Sequence, residues 1–178
     1  NLTKMLIEIS PFVKKRNNKL SLTKKGGVSL VNNHLLFETI FVLFAKKFNW
    51  AYFDYYNNDY VGQHGAGFSL ILLKKYGDEF RNPKFYANKY FNAYGFSEDS
   101  SDSPFADRLE RAYSIRTFDR FLAYFGFVDF KPVDKSHLEN MDLSKMNEEI
   151  FNQLFEKDHL KKTDIFDKVI NILPPKGK

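Results

Sequence analysis

A mainly α-helical fold with one or two small β-hairpins, packed around an aromatic-rich core, is what this sequence predicts. Three observations carry that expectation. Apolar residues recur at the i, i+3, i+4, i+7 spacing of amphipathic helices along most of the chain, beginning with Leu2, Met5, Leu6 and Ile9. Strand-like stretches are short and few: Phe12-Val13-Lys14, Lys19 to Leu22, and Phe127 to Val133. Rings are abundant, with 20 Phe, 10 Tyr and the single Trp50, and each buries enough area for a modest core to hold without disulfides.

The first helix is expected to stop at Pro11, which lacks an amide hydrogen and disfavours helix at Ser10. Phe12-Val13-Lys14 and Lys19 to Leu22 then pair across the polar turn Arg16-Asn17-Asn18. Thr23 opens a new element, and Gly26-Gly27 is expected to break the chain again. Asn33 is the expected cap of a helix from His34 to Lys47 whose apolar positions run nearly all round, which places it at the centre of the fold. Asn49 to Tyr60 is aromatic without periodicity, either a helix extension or an irregular packed segment. Phe68 to Lys75 reads as a helix ended near Gly77. Asn82-Pro83 caps and opens the next, which runs to Gly95. Ser97 to Ser103 is a polar, acidic loop, and Ser103-Pro104 starts a helix whose character continues through Phe118, Phe121 and Leu122 to Gly126. Pro132 confines Phe127–Val133 to an edge. Two final helices are expected, one capped by Ser144 and one by Thr163 or Asp164, before Pro174-Pro175. The passage from Phe127-Val128 to Leu143-Ser144-Lys145 echoes that from Phe12-Val13 to Leu22-Thr23-Lys24. The reading is a single domain, 1–178, with sub-units 1–32, 33–125 and 126–178.

Helix, basic hairpin and then Leu20-x-Leu22-Thr23-x-x-Gly26 resembles the strand-to-helix junction after the wing of bacterial winged-helix domains, over residues 2–26. The resemblance implies a winged-helix-like N-terminal end that begins at the recognition-type helix. It also implies a wing able to lie against nucleic acid.

Composition narrows function mainly by exclusion. With 0 Cys there is no disulfide scaffold, no thiolate metal site and no Cys nucleophile, which suits a reducing cytoplasm. The longest apolar stretch, Leu35 to Ala45, is too short to span a bilayer and contains Glu38, so no membrane partner is expected. The chain opens at Asn1 inside a helical pattern and reads as a piece of a larger bacterial protein. Net charge is +5, with 14 Lys/Arg against 6 Asp/Glu in residues 1–89 and 13 against 16 thereafter. That asymmetry fits a polyanion-facing half or an internal acid–base contact.

The basic run Lys14, Lys15, Arg16, Lys19, Lys24 and Lys25 is the candidate nucleic-acid surface, able to gain affinity by counterion release. Its bland counterpart is a solvated hairpin. His34 and Glu38 stand one helical turn apart but lack a third metal ligand, so surface roles are expected. Gly62-Gln63-His64-Gly65-Ala66-Gly67 lacks the Lys-Ser/Thr pair of a phosphate loop, so a tight turn or close packing is expected. Arg108, Arg111, Arg116 and Arg120 interleave with Asp107, Glu110 and Asp119, the pattern of an ion-paired helix surface. No Ser nucleophile elbow appears. The expectation is therefore a non-enzymatic interaction or scaffolding module with no cofactor and no metal site. The alternative is a winged-helix module that binds nucleic acid through the Lys14–Lys25 hairpin.

Overall fold

The amphipathic start of the chain forms helix α1, Leu2–Ile9, which buries Leu6. The Ser10 side chain closes it, its hydroxyl donating to the Ile7 carbonyl (2.7 Å) and accepting from the Phe12 amide (3.2 Å). The computed structural model describes residues 2–52, 54–56, 58–95, 104–136 and 158–173. The predicted helix capped by Ser144 and the acidic serine loop lie outside these.

Strands β1 (Val13–Arg16) and β2 (Lys19–Leu22) pair antiparallel, with Val13 opposite Leu22 and Arg16 opposite Lys19. Asn17 and Asn18 both take positive φ, 49° and 57°, the two-residue turn whose twist matches the strands and which Asn tolerates well. Thr23 then caps helix α2, Lys24–Ser29. Its hydroxyl accepts from the Gly26 amide (3.0 Å), and its own amide donates to the Phe12 carbonyl (2.9 Å). Gly26 and Gly27 thus lie inside a helix and do not break the chain. Gly26 is there because α2 presses onto the strand: a Cβ would collide with the Phe12 carbonyl oxygen.

Helix α3, Asn33–Lys46, is capped by Asn32, one residue earlier than expected, its carboxamide accepting from the Leu35 amide (2.9 Å). Its burial is confined to one face, Ile40, Leu43 and Phe44, while Val42 is 45% exposed, so the all-round apolar pattern overstated its enclosure. The aromatic segment after it is irregular. Helix α4 (Ala66–Tyr76) ends at Gly77. Helix α5 (Pro83–Tyr94) is capped by Asn82 and closed by Gly95 at φ 69°. Helix α6 (Pro104–Ser114) continues without a break into a wider π-helical stretch, Ile115–Leu122. That widening buries Arg116, Thr117, Phe118, Phe121 and Leu122 together.

Strand β3, Val128–Lys131, pairs antiparallel with β4, His159–Lys162, a partner the sequence reading did not supply. Thr163 then caps helix α7, Asp164–Val169, with its hydroxyl accepting from the Phe166 amide (3.3 Å). The echo read from sequence ends at Leu143-Ser144-Lys145, which lies outside the described residues; a similar strand–Thr–helix passage, not foreseen, occurs at His159–Thr163.

The result is mainly helical, with two small antiparallel two-stranded sheets. One apolar core runs from Leu6 to Phe166. Its rings meet edge-on or tilted: Trp50 on Phe121 (4.5 Å), Phe41 on Phe125 (5.2 Å) and Phe127 on Phe166 (5.6 Å). Among the described residues no helix is long and apolar enough to cross a membrane.

Candidate functional site

The N-terminal hairpin has two unlike faces. Strand alternation with Lys15 opposite Leu20 puts Val13, Lys15, Leu20 and Leu22 on one face, and Lys14, Arg16, Lys19 and Ser21 on the other. All six predicted cationic residues are exposed. Lys15 reaches Glu8 of α1 (3.5 Å), a loose surface pair. Lys24 and Lys25 occupy the first turn of α2, the end where a helix dipole disfavours positive charge, so helix stability does not account for them. Beside these charges lies apolar surface: Leu20 is 42% exposed, Leu22 50%, Val28 57%, Leu30 67% and Val31 88%. Leu22 rests over Gly26 and Gly27, which joins the hairpin face to α2.

The second strand pair, β3 with β4, leads into its helix through the same Thr cap and has a different fate. Its outer edge is covered by the chain itself. Arg81 and Leu160 exchange backbone hydrogen bonds (3.0 and 2.9 Å), and the Lys162 amide donates to the Gly77 carbonyl (2.8 Å). The Lys162 ammonium lies 3.0 Å from each of Asp78 and Asp167, and these carboxylates hold its pKa above the ordinary value. Leu160 is fully buried.

A third feature was misread from sequence. Arg116 does not sit on an ion-paired helix surface; it is fully buried, because the π-helical stretch turns it inward. Its Nε donates to Asp54 Oδ2 (2.6 Å) and its Nη2 to Asp54 Oδ1 (3.0 Å), a bidentate fork. Its Nη1 donates to the carbonyls of Asn58 and Val61. Arg120, one turn on, donates to the Trp50 and Tyr52 carbonyls and lies 3.6 Å from Asp54. Burial pushes the Asp54 carboxyl up, but hydrogen bonds from Arg116 and the Tyr56 amide, with the charges of both arginines, outweigh it. The group sits below the ordinary carboxylate value. Arg108 remains exposed, and Arg111 is half-buried. The signal available beforehand was an isolated Asp in a ring-rich segment and two Arg at i, i+4, which no local rule connects.

This clamp ties together the backbone at Trp50, Tyr52, Asn58 and Val61. Trp50 is buried, its indole donating to the Phe44 carbonyl (2.8 Å). Gln63 closes the end of α3: its amide nitrogen donates to the Phe48 and Ala45 carbonyls (2.6 and 3.3 Å), and its oxygen accepts from the Trp50 amide (3.2 Å). The glycine segment is the tight turn expected. Gly62 and Gly65 take φ of 86° and 85°, and a Cβ on Gly65 would run into the Tyr94 ring. An open cleft of about 420 Å³ lies here, between the end of α3 and the turn Asp59–His64.

His34 and Glu38 are both exposed near the start of α3, whereas His64 lines the cleft at its far end. Among the described residues no three His, Asp or Glu side chains gather as a metal site would require. The buried tyrosines differ in hydrogen-bond partners: the Tyr86 hydroxyl has none among the described residues, whereas that of Tyr113 meets Ser69. Burial pushes Tyr86 up to about 12 and raises Tyr113, whose hydroxyl lies 3.0 Å from that of Ser69. Comparison with protein-family models, characterised proteins and solved structures finds no match to this chain.

Proposed function

We propose that this chain is a non-enzymatic interaction module of a larger bacterial cytoplasmic protein, winged-helix-like at its N-terminal end. It docks a protein partner carrying apolar and acidic side chains. The observation that supports this most directly is the exposed aliphatic run Leu20, Leu22, Val28, Leu30 and Val31 beside six unburied cations. Isolated exposed aliphatics are ordinary, but several on one hairpin and its following helix form the kind of patch that marks an interface. Cations at its edge select an acidic partner and raise the encounter rate. Phosphate backbones reward the lysines but gain nothing from the leucines.

The test is a titration of isotope-labelled protein with two probes, a peptide alternating Leu with Glu and a short DNA duplex. The peptide is expected to move the resonances of Leu20, Leu22 and Val28, and Leu22→Ser with Val28→Ser to abolish its binding. One observation favours nucleic acid as the second reading: Lys14, Arg16 and Lys19 share a single hairpin face. In that case the duplex alone binds, and Lys14→Glu with Lys24→Glu removes a salt-sensitive shift. Silence of the hairpin resonances toward both probes refutes both readings.

A further inference from the structure

We propose that the cleft beside the end of α3 binds a nucleoside phosphate, free or as one unit of a single strand. The base stacks on Tyr60, and the phosphate is held by Lys46 and Lys47.

The argument begins with Tyr60, which lines the cleft and is 75% exposed, yet sits on a turn held from both sides. Asn58 Oδ1 accepts from the Tyr60 and Val61 amides (3.0 and 3.2 Å). The buried Arg116 guanidinium grips the carbonyls of Asn58 and Val61, the residues that flank Asp59-Tyr60. A fully buried cation is a costly device for shaping a surface turn. What it secures is a ring whose backbone is fixed before any ligand arrives, which lowers the entropy lost on binding.

Lys46 and Lys47 follow the last buried turn of α3, where positive charge often offsets the helix dipole. In this chain the carbonyls of Leu43, Phe44 and Ala45 already have donors. Gln63 donates to those of Ala45 and Phe48, and the Lys47 and Phe48 amides donate to that of Leu43. Neither ammonium has an ion-pair partner among the described residues; the His64 imidazole and the exposed Asp59 carboxylate line the same cleft. Buried Phe48 supplies the apolar floor, with the Tyr52 ring against it (6.5 Å). A volume of about 420 Å³ falls in the range of small-molecule sites. An exposed ring on a held backbone, ammonium groups without ion-pair partners among the described residues and an apolar floor together match an anion with a flat aromatic base. Inorganic phosphate makes no use of the ring, and an apolar ligand makes no use of the lysines.

Calorimetric titration of the whole chain at low salt tests this, with AMP, ribose 5-phosphate and a short oligoadenylate as probes and Trp50 emission as the folding control. AMP is expected to bind about tenfold or more tighter than ribose 5-phosphate, the factor a single stacked base supplies. Tyr60→Ala should remove that advantage and Tyr60→Phe keep it, while Lys46→Gln with Lys47→Gln weakens both ligands. Oligoadenylate binding lost in the same variants, with AMP weak, supports the site and identifies a strand as its source. The proposal is overturned if neither AMP nor oligoadenylate binds at millimolar concentration, or if AMP and ribose 5-phosphate bind alike. It is also overturned if Tyr60→Ala changes nothing. Oligoadenylate binding that only the reversal Lys14→Glu with Lys24→Glu removes puts the strand on the hairpin and overturns it too.

Discussion

Removing the Asp54 carboxylate should unfold this protein more readily than any surface substitution. In Asp54→Ala the Arg116 guanidinium keeps its carbonyl acceptors at Asn58 and Val61 but loses both oxygens of its fork. It is left as a buried charge without a counter-ion. Breaking one side of such a pair costs about 3–5 kcal/mol, a large share of the roughly 5–15 kcal/mol that holds a domain folded. For a chain of this size the midpoint of thermal unfolding should fall by about 6–20 °C. Arg116→Met should cost a similar amount, since it strands the Asn58 and Val61 carbonyls, although Asp54 keeps Arg120 at 3.6 Å. The double variant contains no fully buried unpaired charge, because Arg120 is partly exposed and keeps the Trp50 and Tyr52 carbonyls, so its loss should fall short of the sum by about 2–3 kcal/mol. Trp50 reports the transition, because it is the single Trp and its carbonyl is held by Arg120. Acid supplies an independent arm. The folded Asp54 carboxyl titrates below its unfolded value, so its contribution is complete above the ordinary carboxylate range and is lost as pH falls through the lower folded value. Asp54→Ala should flatten that part of the acid curve. Strict additivity in the double variant, or a single-variant loss under about 1 kcal/mol, would show that the fork is not a coupled pair.

Glycine offers a contrast of sign. Gly26→Ala drives a methyl into the Phe12 carbonyl oxygen and should cost about 1–3 kcal/mol in urea unfolding. Gly67→Ala, in α4 with nothing within 4 Å of the new carbon, should gain about 0.5–1 kcal/mol. Equal signs at the two positions would contradict the packing described. Alkali should act through Tyr86, pushed up to about 12 by burial, and through Tyr113, raised by the same cause. Their folded pKa lies above the unfolded value near 10.0, so their contribution is complete below that pH; that of Tyr86 is lost as pH climbs toward 12, and that of Tyr113 later. Ultraviolet absorbance should show these hydroxyls ionising late, together with the change in Trp50 emission. Ionisation of every tyrosine near pH 10 in a still-folded chain would contradict it.

What the sequence disclosed was what neighbours in sequence decide. The Asn17-Asn18 turn, the Thr23 and Thr163 caps, and Asn82-Pro83 through Gly95 all rest on contacts within a few residues, and each lies where its residue types point. Pairings across long stretches of chain stayed hidden. β4 has the sequence His-Leu-Lys-Lys, with one apolar side chain, and becomes a strand only because β3 and Arg81 flank Leu160. Arg116 reads as a surface residue until the π-helical stretch rotates it toward Asp54, 62 positions away. The α2 glycines look like breakers for the same reason: the demand for Gly26 comes from the Phe12 carbonyl, across the hairpin. Of the candidate site, the six hairpin cations were visible. Tyr60 and the Lys46-Lys47 pair were not joined, because the clamp that brings their segment to the end of α3 is itself a long-range contact.

The two Thr-capped hairpins form a comparison that the molecule makes with itself. Thr23 donates its hydroxyl to the Pro11 carbonyl (2.8 Å) and its amide to Phe12, while Thr163 donates its hydroxyl to Gly126 (2.7 Å) and its amide to Phe127. Local construction is thus shared, and the difference lies in what meets the second strand. β4 carries one aliphatic residue, Leu160, and residues 77–81 of the same chain cover it. β2 carries two, Leu20 and Leu22, and both stay about half exposed. A hairpin adapted to water would show the reverse distribution, with its aliphatics on the covered strand. Burying a fully exposed leucine gains about 1.5–3 kcal/mol, so these half-exposed side chains, with Val28, each retain roughly half of that gain. This distribution is what the proposed docking role of the basic hairpin would use.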